Sequence, residues 1–179
     1  MRFFLFSLLT ISTASLLFAS GQNIAPDAIT RATTWNTFEG DLATLSDGQI
    51  APNGQPFIWQ NKGILVFSWN EVLPVERVRV YVGELANDYQ VRTYVGGRLE
   101  DEGAARDPEG QRTTLIDDFS RTPNQWHDIL LPPGIPADNI ELSTLGSTVF
   151  YEVEIHLAGD ATAVDHASWG QIKATRTKP

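Results

Sequence analysis

Short stretches of alternating apolar and polar residues dominate this chain. In Arg77-Val78-Arg79-Val80-Tyr81-Val82 the valines share one face and the arginines the other, and Glu152-Val153-Glu154-Ile155-His156-Leu157 repeats the pattern. A period of two marks a half-buried strand, because successive side chains leave the backbone on opposite sides. The same reading predicts strands over 89–95, 126–131 and 140–145, a more buried strand over 64–69, and a last strand over 169–175. No stretch holds a helical period over three turns, and residues 41–45 predict one short helical turn at most. Turn signals punctuate the strands: Ser46-Asp47-Gly48, Pro52-Asn53-Gly54, Asn61-Lys62-Gly63, Gly96-Gly97, Asp107-Pro108-Glu109-Gly110 and Pro132-Pro133-Gly134. Two antiparallel sheets packed face to face bury such faces economically, so the expected fold is an all-β sandwich.

The amino-terminal residues break this pattern. Met1-Arg2 gives a positive start, residues 3–18 are apolar apart from Ser and Thr, and Ala19-Ser20-Gly21 supplies small residues for cleavage. That sequence predicts a signal peptide over 1–21, a single domain over 22–179, and secretion to the exterior or the periplasm. The run is shorter than the ~20 residues a spanning helix needs, no cysteine follows it to carry lipid, and nothing later could span a bilayer. A domain of this size buries roughly two-thirds of its unfolded surface without staples. The absence of cysteine also excludes thiolate metal sites and a cysteine nucleophile. A net charge of −9 with a pI near 4.7 opposes a nucleic-acid partner, whose phosphates such a surface repels.

Several short motifs follow one another in a particular order. They are Asn23-Ile24-Ala25, Thr33-Thr34-Trp35, Leu45-Ser46-Asp47-Gly48, Trp59, and Val75 through Tyr81. Then come Trp126-His127-Asp128-Ile129-Leu130-Leu131-Pro132, Ile140-Glu141-Leu142 and Tyr151-Glu152-Val153-Glu154-Ile155. This succession, over 23–157, resembles the discoidin or coagulation-factor type C domain and the family 32 carbohydrate-binding modules, whose fold is a galactose-binding-like jelly roll. The tail Asp165-His166-Ala167-Ser168-Trp169-Gly170-Gln171-Ile172 is similar instead to the closing strand of the new putative carbohydrate-binding module found with glycosidases, a group of the same fold class.

The resemblance implies a structural Ca²⁺ on Asp47, with carbonyls from Thr44 and Gln49 and a second carboxylate from Glu152. The chemistry suits the ion, which takes six to eight hard oxygens. Asp47-Gly48 reads equally as a plain tight turn. Phe57 and Ile58 stand where the family often places a hydroxyl ligand. The resemblance also implies a ligand held by loops at one end of the sandwich. Sugars bind through CH faces on aromatic rings and through hydrogen bonds to polar and charged groups. Trp35, Asn36, Phe38, Arg92, Arg98 and His127 are the candidates, with Trp59 and Arg106 behind them. Trp59, Trp69 and Trp126 lie in or beside predicted strands and are expected in the core, and Arg77 and Arg79 on a wet face.

Catalysis finds little support. Asp165, His166 and Ser168 crowd one stretch, yet adjacent strand residues point to opposite faces and cannot relay one proton. There is no GxSxG or HExxH. The acidic runs 100–102 and 117–118 lie in polar surroundings that predict solvated loops rather than a glycosidase pair. The reading is therefore a secreted, non-catalytic domain that binds carbohydrate or another cell-surface ligand, with no nucleic-acid partner and no membrane span. The alternative is a structural matrix or adhesion subunit without a sugar pocket. Homo-oligomerisation is an open route to multivalency in either case.

Overall fold

The computed structural model describes residues 21–32, 37–96, 110–119 and 121–159. Residues 1–20 of the expected signal, Trp35, Asn36, Arg98, Arg106, the acidic run 100–102, and the tail with Asp165, His166, Ser168 and the strand over 169–175 lie outside them.

The strands are β1 (Ile29–Ala32), β2 (Phe38–Glu39), β3 (Phe57–Trp59), β4 (Gly63–Val82), β5 (Tyr89–Val95), β6 (Gln111–Asp118), β7 (Gln125–Thr144) and β8 (Thr148–Leu157). Two 3-10 turns, Ala25–Asp27 and Leu42–Ser46, are the helical elements among the described residues. The second is the turn expected over 41–45, and Asp41 caps it by accepting the Ala43 N–H at 3.0 Å. β6 had no counterpart among the expected strands, and with it Asp117 and Asp118 end a strand rather than occupying a loop.

All pairings are antiparallel, in the order β2-β3-β8-β4-β7-β5-β6, with β1 on β4. The strands expected over 64–69 and 77–82 are one continuous strand of 20 residues, and those over 126–131 and 140–145 are another. The first part of β4 pairs with β1 and the end of β7. Its last part pairs with β8 and the start of β7. Register shifts between Ser68 and Leu73, and between Val75 and Arg77, mark where both strands bend from one half of the sheet to the other. Pro132-Pro133-Gly134 is thus a bulge inside β7, not a turn between strands, and Gly134 supplies the φ of 70° that it needs.

The bend folds the sheet into a sandwich. Val78, Val80, Ile129, Val153 and Ile155 from one half join Leu65, Phe67, Val91, Ile140 and Leu142 from the other in a single buried cluster. This is the period-two pattern realised in three dimensions. Along one flank Phe38, Phe57 and Trp59 pack with ring centroids 5.0, 5.2 and 5.4 Å apart. Trp59 lies against Gly63, where a Cβ would come within 2.3 Å of Cε2 of the indole. The Gly63→Ala variant is therefore expected to lose about 1–3 kcal/mol by overpacking. Urea denaturation should show a lower midpoint at an unchanged m value.

Candidate functional site at the loop end

β5 begins where the end of β7 and the end of β6 meet it, at the pairings Tyr89 with Thr144 and Tyr89 with Asp118. The connections 60–62, 83–88, 119–124 and 145–147 all depart from this end of the sandwich. They are stitched to one another. The Gly83 N–H donates to Val149 O at 2.8 Å, Asn124 N–H to Gly83 O at 2.9 Å, and Leu145 N–H to Asp88 O at 3.2 Å. The Asn87 side chain donates to Ser147 O at 3.3 Å. A Cβ on Gly146 would sit 2.4 Å from that amide nitrogen, so glycine allows the approach. The Tyr89 hydroxyl ties the base together, accepting the Asn87 N–H and meeting the Thr148 hydroxyl, both at 3.0 Å.

On this frame Asp88 meets Arg121 in a bidentate pair. Nε donates to Oδ1 at 2.6 Å and Nη2 donates to Oδ2. The Arg121 guanidinium holds the Asp88 carboxyl below the usual carboxylate range. Asp88 is largely buried, while the Arg121 side chain keeps 67% of its surface in solvent. The same connections carry exposed apolar groups: Phe119, 69% exposed, follows Asp118, which pairs with Tyr89, and Leu145 and Leu85 are exposed as well. An aromatic ring, a fixed planar cation and apolar rim groups thus share one end. The sequence reading missed Phe119 and Arg121. Their signal was available as Phe119 and Arg121 two residues apart in a polar connection, but nothing in the pattern tied them to Asp88.

The residues expected to bind ligand are placed differently. Phe38 stacks on Phe57 and Trp59 at the flank of the core. Arg92 lies on the outer face of β5, bonded to Glu141 across the strand pair, a structural position set by a fully buried carboxylate. His127 lies at the loop end but is 3% exposed, with its ring edge against Tyr89 and Nε2 at 2.7 Å from Thr122 O. The alternation along β7 turns it inward with Ile129. Of the three tryptophans expected in the core, Trp59 is fully buried and Trp69 packs against the core with Nε1 donating to Ile24 O at 3.1 Å. Trp126 instead stands on the outer face beneath Arg79, because even positions in the first part of β7, up to Leu130, point outward. The arginines at 77 and 79 are half-buried in ion pairs rather than freely solvated.

The residues of the expected Ca²⁺ loop do come together in part. Thr44 belongs to the 3-10 turn and its hydroxyl donates to Asp41 O at 2.7 Å. Asp47 caps that turn and accepts the Gln49 N–H at 2.9 Å. Glu152, only 2% exposed, accepts the Gly48 N–H at 3.0 Å. Burial, and then repulsion from Asp47 and Glu154, push the Glu152 pKa up to about 8, against the backbone N–H groups of Gly48 and Gln49. A buried carboxylate facing a second one is a site of uncompensated negative charge, and the donor set of hard oxygens fits Ca²⁺ chemically. Among the described residues no third carboxylate or imidazole joins them, so carbonyls would complete any coordination.

No protein-family model matches the sequence, and no curated protein matches it. Solved structures do. The lectin domain of lectinolysin complexed with Lewis B antigen has a TM-score of 0.59 at 12% identity, covering 78% of this chain and 99% of its own. The family 32 carbohydrate-binding module from C. perfringens NanJ, in complex with galactose, has a TM-score of 0.56 at 12% identity over 75% of this chain and 97% of its own. A fucose-binding module from Streptococcus pneumoniae has a TM-score of 0.56 at 15% identity over 75% and 96%. The chain therefore carries the galactose-binding-like β-sandwich fold that these modules share.

Proposed function

We propose that this protein is a secreted, non-catalytic glycan-binding domain whose ligand sits at the loop end, with a structural Ca²⁺ at Asp47 and Glu152. The observation that carries the reading is an exposed Phe119 on the same connection as Arg121, whose guanidinium is held by Asp88. The ring offers a face for sugar CH groups, and the guanidinium, already held in place by Asp88, offers donors to hydroxyls at little further ordering cost. The solved neighbours bind galactose, fucose and Lewis B antigen according to their own descriptions, which makes galactose- and fucose-terminated glycans the first class to test.

The test is a glycan array probed with the full chain, in Ca²⁺ and in EDTA. Galactose- or fucose-terminated glycans should give signal, and Phe119→Ala and Arg121→Ala should each lower it at least tenfold per folded molecule, Phe119→Ala while retaining the wild-type melting temperature within a few degrees. Silence on the array would favour the structural alternative. That alternative has its own observation in Leu115 on the edge strand β6 and Leu130 on β7, both exposed.

A further inference from the structure

The outer face of the half-sheet formed by β7, β4 and β8 carries an aromatic cluster that the loop-end reading does not use. On β4 the odd positions 77, 79 and 81 point outward, and on β7 the even positions 126, 128 and 130 do so. Half of these residues are charged, and all three of those are paired. Arg79 reaches Asp128 with Nε at 2.8 Å and Glu154 with Nη1 at 2.6 Å, and Arg77 approaches Asp128 at 3.6 Å. Beside this charged row, three rings cross three adjacent strands. Tyr81 is 5.5 Å from Trp126 and 6.1 Å from Tyr151, edge to face in both cases.

Each ring is held by something specific. The Arg79 guanidinium lies 4.3 Å over the Trp126 ring, and its two carboxylate partners fix it there. Tyr151 falls at the register shift between Tyr81 and Val82, an irregularity of the kind that re-aims a side chain. Its ring then lies against Gly83, where a Cβ would meet Cε2 at 2.8 Å. Trp126, Tyr81 and Tyr151 are half-buried and held before any ligand arrives, so their exposed edges and faces make a contact site whose ordering cost is already met.

We propose that this face is a second contact surface, and that its occupant is an uncharged polysaccharide chain lying across Trp126, Tyr81 and Tyr151. Charge selects that partner. Arg77 and Arg79 balance Asp128 and Glu154 on the face, and the whole chain carries −9, so neither the patch nor its surroundings attract a polyanion. The carboxylates of Asp128 and Glu154 retain lone pairs for hydroxyl donors, and the rings present CH-compatible surface.

The inference stands apart from the loop-end reading, and one experiment separates the two. The full chain is run on native gels containing soluble galactan, galactomannan, xyloglucan or laminarin, with polygalacturonate as the charged control. At least one neutral polymer should retard the protein and polygalacturonate should not. Trp126→Ala and Tyr151→Ala should each reduce the retardation at least fivefold, and Trp126→Phe should keep most of it. Tyr81→Ala, which removes the central ring and leaves Trp126 in place, should act in the same direction and serves if Trp126→Ala misfolds. No retardation by any neutral polymer, or retardation equal in Trp126→Ala and wild type, overturns the proposal. Retardation lost in Phe119→Ala and kept in Trp126→Ala also overturns it, while supporting the loop end.

Discussion

In EDTA the melting temperature of this protein is expected to fall as pH rises from about 5 to 8, and Ca²⁺ is expected to remove most of that fall. The cause is Glu152. Its folded pKa of about 8 lies above the 4.5 of an ordinary glutamate, so the folded state holds a proton that the unfolded state releases. Stability from that proton is fully present below the unfolded pKa and is lost as pH climbs through the folded one. One such group changes stability by at most about 1.4 kcal/mol per pH unit inside the window. The Glu152→Gln variant keeps the shape without the titration, and its profile should lie above wild type at pH 8 and flatten between 5 and 8. A cation between Asp47 and Glu152 substitutes for the proton, so the Ca²⁺ increment should grow with pH and vanish in Asp47→Ala. Identical melting curves in EDTA and millimolar Ca²⁺ at pH 8 would end the Ca²⁺ assignment. A flat wild-type profile in EDTA would refute the burial of an ionisable Glu152.

The second large effect is expected at Arg92. Glu141 has no exposed surface, and its carboxylate takes Arg92 Nη1 on one oxygen and the Tyr94 hydroxyl at 3.3 Å on the other. Removing the cation leaves a buried anion stripped of its strongest partner, a change that costs about 3–5 kcal/mol in comparable pairs. Arg92→Leu should therefore shift the urea midpoint strongly. Replacing both groups removes the buried charge as well, so Arg92→Leu/Glu141→Leu should recover most of the loss. The double-mutant cycle measures the coupling directly. A loss below about 1 kcal/mol for Arg92→Leu, in the range of exposed pairs, would contradict the enclosed geometry. The prediction also separates a structural arginine from a ligand-binding one, because glycan binding per folded molecule should not change.

The strands over 77–82, 89–95 and 152–157 were legible because their alternation is set by one local rule, the pleat. Trp59 was legible as core for the same reason. The bulges were not. Pro132-Pro133-Gly134 carries a turn signature in any local reading, and only its place between the Val75–Ile135 and Arg77–Leu130 pairs makes it an interruption within a strand. β6 was hidden because six of its eight residues are polar and its two apolar ones, Leu115 and Ile116, are adjacent rather than alternating, and its place is given by its ladder with β5. The pairing of Asp47 with Glu152 followed from the resemblance, whereas the pairing of Asp88 with Arg121 had no precedent in the pattern. Both join residues far apart along the chain, and chain distance carries no information about such meetings.

The sequence by itself determined the strand-forming alternation, the all-β class and the acidic, cysteine-free composition, since these depend on residue type and near neighbours alone. The tertiary structure decided which side chains meet. It turned His127 inward and Trp126 outward on one strand, gathered Phe119, Arg121 and Asp88 at one end, and buried Glu152 beneath the turn at Gly48. The physical reason is that face and partner depend on register, and register is set by long-range pairing and bulges, where one residue more or less exchanges the two sides of a strand.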